Sequence, residues 1–189
     1  MPAVSARRYA LFCGIAGGGC AVDLVTKHVA FDRLGMPGGA SYWLIHEVFG
    51  FTTSLNEGAL FGIGQGQVMF FSALSLAAAL GIVYWLFVAG AARDLWLTVA
   101  LACVTAGILG NLYDRLGLPG LTWEPGYGHE PFERVYAVRD WLHFKIEPII
   151  DWPIFNIADS LLVCGATLMI IHALRVEKTA KSVGYARQE

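Results

Sequence analysis

Apolar residues in this chain gather into long runs, and polar ones fill the stretches between them. The runs cover about Ala10–Ala30, Val68–Val88, Leu95–Tyr113 and Ile154–Leu174. Each is about 20 residues, the length an α-helix needs to cross ~30 Å of hydrocarbon. The pattern predicts four transmembrane helices. "AGAARDLW" (Ala89–Trp96) is a tight turn between the second and third, whereas the other two connections, within residues 31–67 and 114–153, are long. In the first of these, "EVFGFTTSLNEG" (Glu47–Gly58) has the aromatic and β-branched alternation of a short strand ending in a turn. The expected fold is an all-α membrane protein with a small antiparallel β-sheet and loops on one side. Residues 1–175 read as one domain and 176–189 as a tail.

Composition agrees with a membrane setting. Of 189 residues, 56% are hydrophobic and 15% charged, and the mean hydropathy is +0.55. That is too apolar for an ordinary soluble domain. No basic stripe points to nucleic acid. Arg7, Arg8, Arg93, Arg175, Lys178, Lys181 and Arg187 cluster at the short connection and the two ends, which the positive-inside rule makes cytoplasmic. Both termini are then cytoplasmic, and the long connections with their sheet are extracytoplasmic. Arg7 and Arg8 before an apolar run also fit a cleaved leader. The run continues past Cys20 through "AVDLVTKHVAF", however, so the first span is expected to be retained. Cys13, Cys20, Cys103 and Cys164 sit in apolar runs without metal spacing and read as packing residues. Trp43, Phe49, Phe51, Trp123, Trp141 and Trp152 suit an interfacial belt.

Small residues at a period of four, Gly14 with Gly18 and Ala102 with Ala106 and Gly110, suggest close helix packing. The polar residues within the spans are more informative. Asp23 and Lys27 are four apart on one face, the acid N-terminal to the base as an ion pair prefers. Asn111, Asp114 and Arg115 close the third span, and Asn156, Asp159 and Ser160 open the fourth. A carboxylate in hydrocarbon costs about 2.5–3.5 kcal/mol at a helix centre on insertion scales. With alternating orientation all of these groups lie at one depth, near the outer surface, where they best satisfy one another. That convergence marks a site.

Several chemistries are excluded or weak. No H-E-x-x-H occurs, and His28, His46, His129, His143 and His172 have no ligand spacing. No glycine-rich phosphate loop follows a predicted strand. A serine–lysine peptidase would need Ser160 near Lys27, and nothing marks it. Carboxylates remain: an ionised one takes a proton from water while a neutral one polarises a carbonyl. Asp159 is one candidate, and Asp114 and Asp140 compete to be the second. A small proton- or cation-coupled transporter is the alternative class, although it usually shows internal repeats and ionisable groups at the midplane.

The motifs "DLVTK" (Asp23–Lys27), "NEGALFG" (Asn56–Gly62), "GNLYDR" (Gly110–Arg115), "VRDW" (Val138–Trp141) and "FNIADS" (Phe155–Ser160) carry a resemblance. In order and topology they resemble lipoprotein signal peptidase, or signal peptidase II, the bacterial aspartyl peptidase of the inner membrane. The resemblance spans roughly residues 9–175. It implies that Asp140 and Asp159 are catalytic, and that Asp23, Lys27, Asn56, Gly58, Gly110, Asn111, Arg115, Asn156 and Ala158 support the site or bind substrate. It implies a diacylglyceryl-modified prolipoprotein as substrate, cut on the N-terminal side of its lipidated cysteine, with no metal or organic cofactor; the sequence leaves the oligomeric state open, a monomer being favoured. Asp114 ends the third span next to Arg115, so an ordinary structural ion pair or a helix-end contact explains it. An acyl-anchored peptide keeps its scissile bond close to the membrane surface, which is the depth of Asp159. The N-terminal end of a helix favours the ionised carboxylate there, while a second carboxylate nearby leads the two to share a proton. Two departures stand out: Trp141 replaces a phenylalanine, and "LGLPGLTWEPGYGHEPFERVYA" (Leu116–Ala137) lengthens the connection to Asp140. Its prolines and glycines read as an irregular loop, serving either as a substrate-shaping flap or as a passive insertion.

Overall fold

The computed structural model describes residues 4–58, 64 and 66–185, with only the backbone for 179–185. Part of the "NEGALFG" motif, residues 59–62, therefore lies outside the described residues, as do Arg187 and the side chain of Lys181.

α1 (Ala6–Leu34) runs beyond the expected end of the first span. Nothing in "FDRL" breaks a helix. The break comes at Gly35, whose φ of +79° suits a residue without Cβ and whose N–H closes onto Phe31 O at 3.0 Å. α2 (Val68–Val83) continues as a π-helical turn, Tyr84–Val88. Gly90, at φ +85°, reverses the chain. Asp94 then caps α3 (Leu95–Arg115) by accepting the Leu97 N–H at 3.2 Å. α4 (Ile157–Tyr185) returns alongside, and its His172 meets Asp94 at 3.0 Å. Among the described residues, these four helices are long and apolar enough to span a membrane.

α3 is the central helix. Half of its apolar window is buried, against 11–17% in the other three, which leave the remainder for lipid. Glycines bring the backbones together. A Cβ on Gly107 would collide with the Ala158 carbonyl and Leu162, and one on Gly165 with the Ala100 carbonyl and Val104. On α1 the close residue is Gly19, where a Cβ would stand 2.9 Å from Ala106. Gly14 and Gly18 face open space, so the expected contact at that pair is absent. The period of four was present on α1, but the rotation of the helix presents a neighbouring face. Ala102 and Ala106 are fully buried as expected.

The strands β1 (Tyr42–Ile45), β2 (Phe49–Asn56), β3 (Val138–Ile146) and β4 (Ile150–Phe155) form an antiparallel meander in chain order. Proline at 153 is tolerated because β4 is an edge strand. Ile154 and Phe155, expected at the start of the fourth span, belong to this strand instead. The helix begins only after Asn156, whose side chain accepts the Asp159 N–H at 2.8 Å while Asp159 Oδ2 accepts the Asn156 N–H at 3.3 Å. This reciprocal pair is a capping box built from Asn and Asp.

The insertion folds back on the molecule. Trp123, Val135 and Ala137 are buried together against Met36, Leu55, Leu121 and Tyr127. Tyr127 donates its hydroxyl to the Pro37 carbonyl. Trp123 is therefore a core residue and not part of an interfacial belt; the ring stacks on His129 with centroids 4.0 Å apart.

Candidate active site

The polar residues of three helices and the sheet meet in one network. Lys27, fully buried, donates a hydrogen bond to Asn111 Oδ1 at 2.9 Å and forms ion pairs with Asp23 Oδ2 at 2.8 Å and Asp114 Oδ2 at 3.0 Å. An ammonium group pays heavily for leaving water, and full pairing is what makes its burial tolerable. Asp23 uses its other oxygen to accept the Ala158 N–H at 2.8 Å, close to the start of α4. Gly110 allows this approach, since a Cβ there would overlap Asp23 Oδ2 and press on Ala158 at 3.2 Å. Ala158, completely buried, fills the remaining space.

Asn111 and Asn156 link this base to the two aspartates. Asn111 donates to Asp159 Oδ1 at 2.9 Å and accepts from Asn156 at 3.1 Å. Asn156 Nδ2 also donates to Asp140 Oδ1 at 2.6 Å. One asparagine thus touches both carboxylates, through its side chain and through its backbone N–H. Asp140 sits on β3 opposite Ser54 of β2. Burial, and after it the charge of Asp159, pushes the Asp140 carboxyl well above the usual carboxylate range.

Arg115 and the turn after β2 complete the rim. Asn56 Oδ1 accepts the Gly58 N–H at 2.9 Å, and Arg115 Nη2 donates to the Gly58 carbonyl at 2.9 Å. Asp140, Asp159, Asn56 and Arg115 border a cavity of about 680 Å³ whose walls continue over Phe71, Leu74, Ile108, Leu162 and Val163 of α2, α3 and α4. Its lining is charged around the aspartates and Arg115 and apolar over the helices. Ser160 hydrogen-bonds the Asn156 carbonyl at 3.1 Å and is not among the partners of Lys27.

All the residues expected at the site are brought into this network or its rim. A structural ion pair does account for Asp114, but its partners are Lys27 and Arg139 and not its neighbour Arg115. Arg115 turns to the cavity because adjacent positions on a helix point about 100° apart. Arg139 is a site residue that the motifs alone did not single out. The available signal was a charged residue directly before Asp140 in the otherwise apolar stretch "AVRDWL" (Ala137–Leu142).

The match to known proteins decides what this arrangement belongs to. Residues 15–175 match the model of the family described as signal peptidase (SPase) II. The chain belongs to that family. The lipoprotein signal peptidase of Rhodopirellula baltica is 48% identical over 172 residues, covering 90% of this chain and 74% of that one. That of Bacillus pumilus is 38% identical over 160 residues, covering 85% and 90%. A bacterial membrane enzyme solved by the in meso method at 2.3 Å superposes with a TM-score of 0.70 at 32% identity, over 87% of both chains. With its four apolar helices, the chain is a multi-pass membrane peptidase.

Proposed function

We propose that this chain is an aspartic endopeptidase that removes the signal peptide from diacylglyceryl-modified prolipoproteins, cutting N-terminal to the lipidated cysteine, with Asp140 and Asp159 as its catalytic pair. The observation that carries this reading is the pair of aspartates tied to one asparagine on the wall of a cavity whose remaining lining is largely apolar. A substrate with a peptide at one end and acyl chains at the other matches that polarity.

The charges support a shared proton. Lys27, Arg115 and Arg139 stand against the carboxylates of Asp23, Asp114, Asp140 and Asp159. With every group ionised one negative charge is left over, and one proton removes it. Asp140, the more deeply desolvated, holds that proton at rest. Asp159, steadied by Asn111 and the Asn156 N–H, takes a proton from water. The water oxygen attacks the scissile carbonyl carbon as Asp140 protonates the carbonyl oxygen. The tetrahedral gem-diol then collapses: one of its hydroxyls returns a proton to Asp140 and becomes the new carbonyl, the C–N bond breaks, and the departing nitrogen takes the proton held on Asp159. Lys27 is engaged with Asp23, Asp114 and Asn111, and Ser160 bonds the Asn156 carbonyl instead, which argues against serine–lysine chemistry. Membership of a peptidase family disfavours the transporter alternative.

The distribution of arginine and lysine supports cytoplasmic termini and a bacterial inner-membrane protein, with the aspartates near the outer surface. Both aspartates come from one chain, consistent with a working monomer. Purified protein incubated with a diacylglyceryl-modified prolipoprotein, and with the same precursor unlipidated, should release a signal peptide from the former only. Equal cleavage of both would overturn the lipid-dependent reading.

A further inference from the structure

Asp114 joins the helix network to the sheet. It is fully buried between Lys27 of α1 and Arg139 of β3. Arg139 grips it with main chain and side chain together. Its backbone N–H donates to Oδ2 at 3.1 Å, its Nε to Oδ1 at 3.0 Å, and its Nη2 reaches Oδ1 at 2.8 Å. Phe31 of α1 lies against the guanidinium, 6.0 Å from ring centroid to Cζ. A backbone contact fixes where β3 passes α3. Successive residues of a strand point to opposite faces, so fixing Arg139 also fixes the direction of Asp140, the next residue. A slip by one position would turn that carboxyl away from Asp159.

The same contact settles a charge. Asp140 is faced by Asp159 from α4, by Asp114 and Arg115 from α3, and by Lys27 from α1; Asp23 is paired to that lysine, and Arg139 precedes Asp140 on β3. Lys27 is divided between Asp23 and Asp114. Without Arg139, the carboxylate of Asp114 would bear on Asp140 with only half a counter-charge.

We propose that Arg139 is a positioning residue for the cleavage reaction: it clamps Asp114, holds Asp140 toward Asp159, and screens the aspartate pair from the charge of Asp114. This rests on the aspartate reading above. Arg139 does not line the cavity; it acts through Asp140.

The test is the pH dependence of kcat and KM on lipidated precursor for Arg139→Gln, for Arg139→Lys, and for Arg139→Gln combined with Asp114→Asn. Arg139→Gln should lower kcat about tenfold with little change in KM. Both limbs of its pH profile should move up by about one unit, because an unscreened negative charge makes nearby carboxyls harder to ionise. Arg139→Lys keeps the charge but loses the two-nitrogen grip, so kcat should fall while the limbs stay in place. The double variant has no charge to screen, and its limbs should return although kcat stays low. Wild-type kcat and limbs in Arg139→Gln would overturn the inference, as would limbs that stay displaced in the double variant. Should Arg139→Gln fail to fold, the lysine variant decides, since unchanged kcat there denies the grip. The aspartate reading fails by a different result, namely normal cleavage by Asp140→Asn or Asp159→Asn.

Discussion

Two ion pairs hold the site from different sides, and they are made differently. Lys27 and Asp23 meet at 2.8 Å with both side chains fully buried. His129 of the insertion meets Glu57 of the turn after β2 at 3.0 Å, but the two side chains are 30% and 26% exposed. The distances are nearly the same and the environments are opposite. On the helix side there is no water to take over if a partner is lost, so every polar group needs a named partner. On the insertion side the apolar cluster of Trp123, Val135 and Ala137 carries the attachment, and the pair only trims its rim. Burial, not distance, decides which ion pair is obligatory.

The largest effect is expected at the aspartates that the buried network serves. Asp140→Asn and Asp159→Asn should each remove nearly all cleavage of lipidated precursor while leaving the protein inserted and folded, and the double variant should lose little more. Asp114→Asn should instead keep measurable turnover and lose stability. A folded, dead Asp114→Asn beside an active Asp140→Asn would reverse the assignment. Stability should separate from activity at Asp140. Its raised carboxyl binds a proton at pH values where the unfolded chain has released it. The stabilisation this brings is fully present below the unfolded value and is lost as pH rises through the folded one. Asparagine does not suffer that loss, so Asp140→Asn should gain in thermal midpoint over the unmodified protein as the pH is raised.

Next in size is the buried pair itself. Lys27→Met strands Asp23 and Asp114, and breaking a buried pair typically costs about 3–5 kcal/mol. Lower abundance in the membrane and a lower thermal midpoint in detergent should follow, with reduced cleavage. Normal levels and full activity would show that burial has been given too much weight.

The smallest effect is expected at the exposed pair. His129→Gln keeps a polar group of similar reach and removes the charge option, and such pairs contribute about 0–1 kcal/mol. The thermal midpoint should scarcely move, and cleavage should change less than about threefold. A loss comparable to Lys27→Met would mean that the insertion is held at its rim rather than by its apolar cluster.

Features set by neighbours along the chain were legible in the amino-acid sequence. The four spans follow from run length, the Asp23–Lys27 pair from a spacing of four, and the strand over Phe49–Asn56 from alternation. The motifs also named residues that the structure brings into one network. Other features depended on elements far apart in the chain, and only the tertiary structure decided them. Asp114 bypasses its neighbour Arg115 for Arg139, 25 positions away, because α3 turns the two adjacent side chains apart and β3 brings Arg139 alongside. Gly19, not Gly14 or Gly18, meets α3, because helix rotation follows from close packing and not from the spacing of small residues. Trp123 is buried because Met36 and Leu55 are there to cover it, and the loop that carries it has no period of its own. Local rules act through bonds and turns of known pitch, and can be read in order. The pairing of buried charges is settled by which groups share a space without water, and that space exists only once the helices and the sheet have packed.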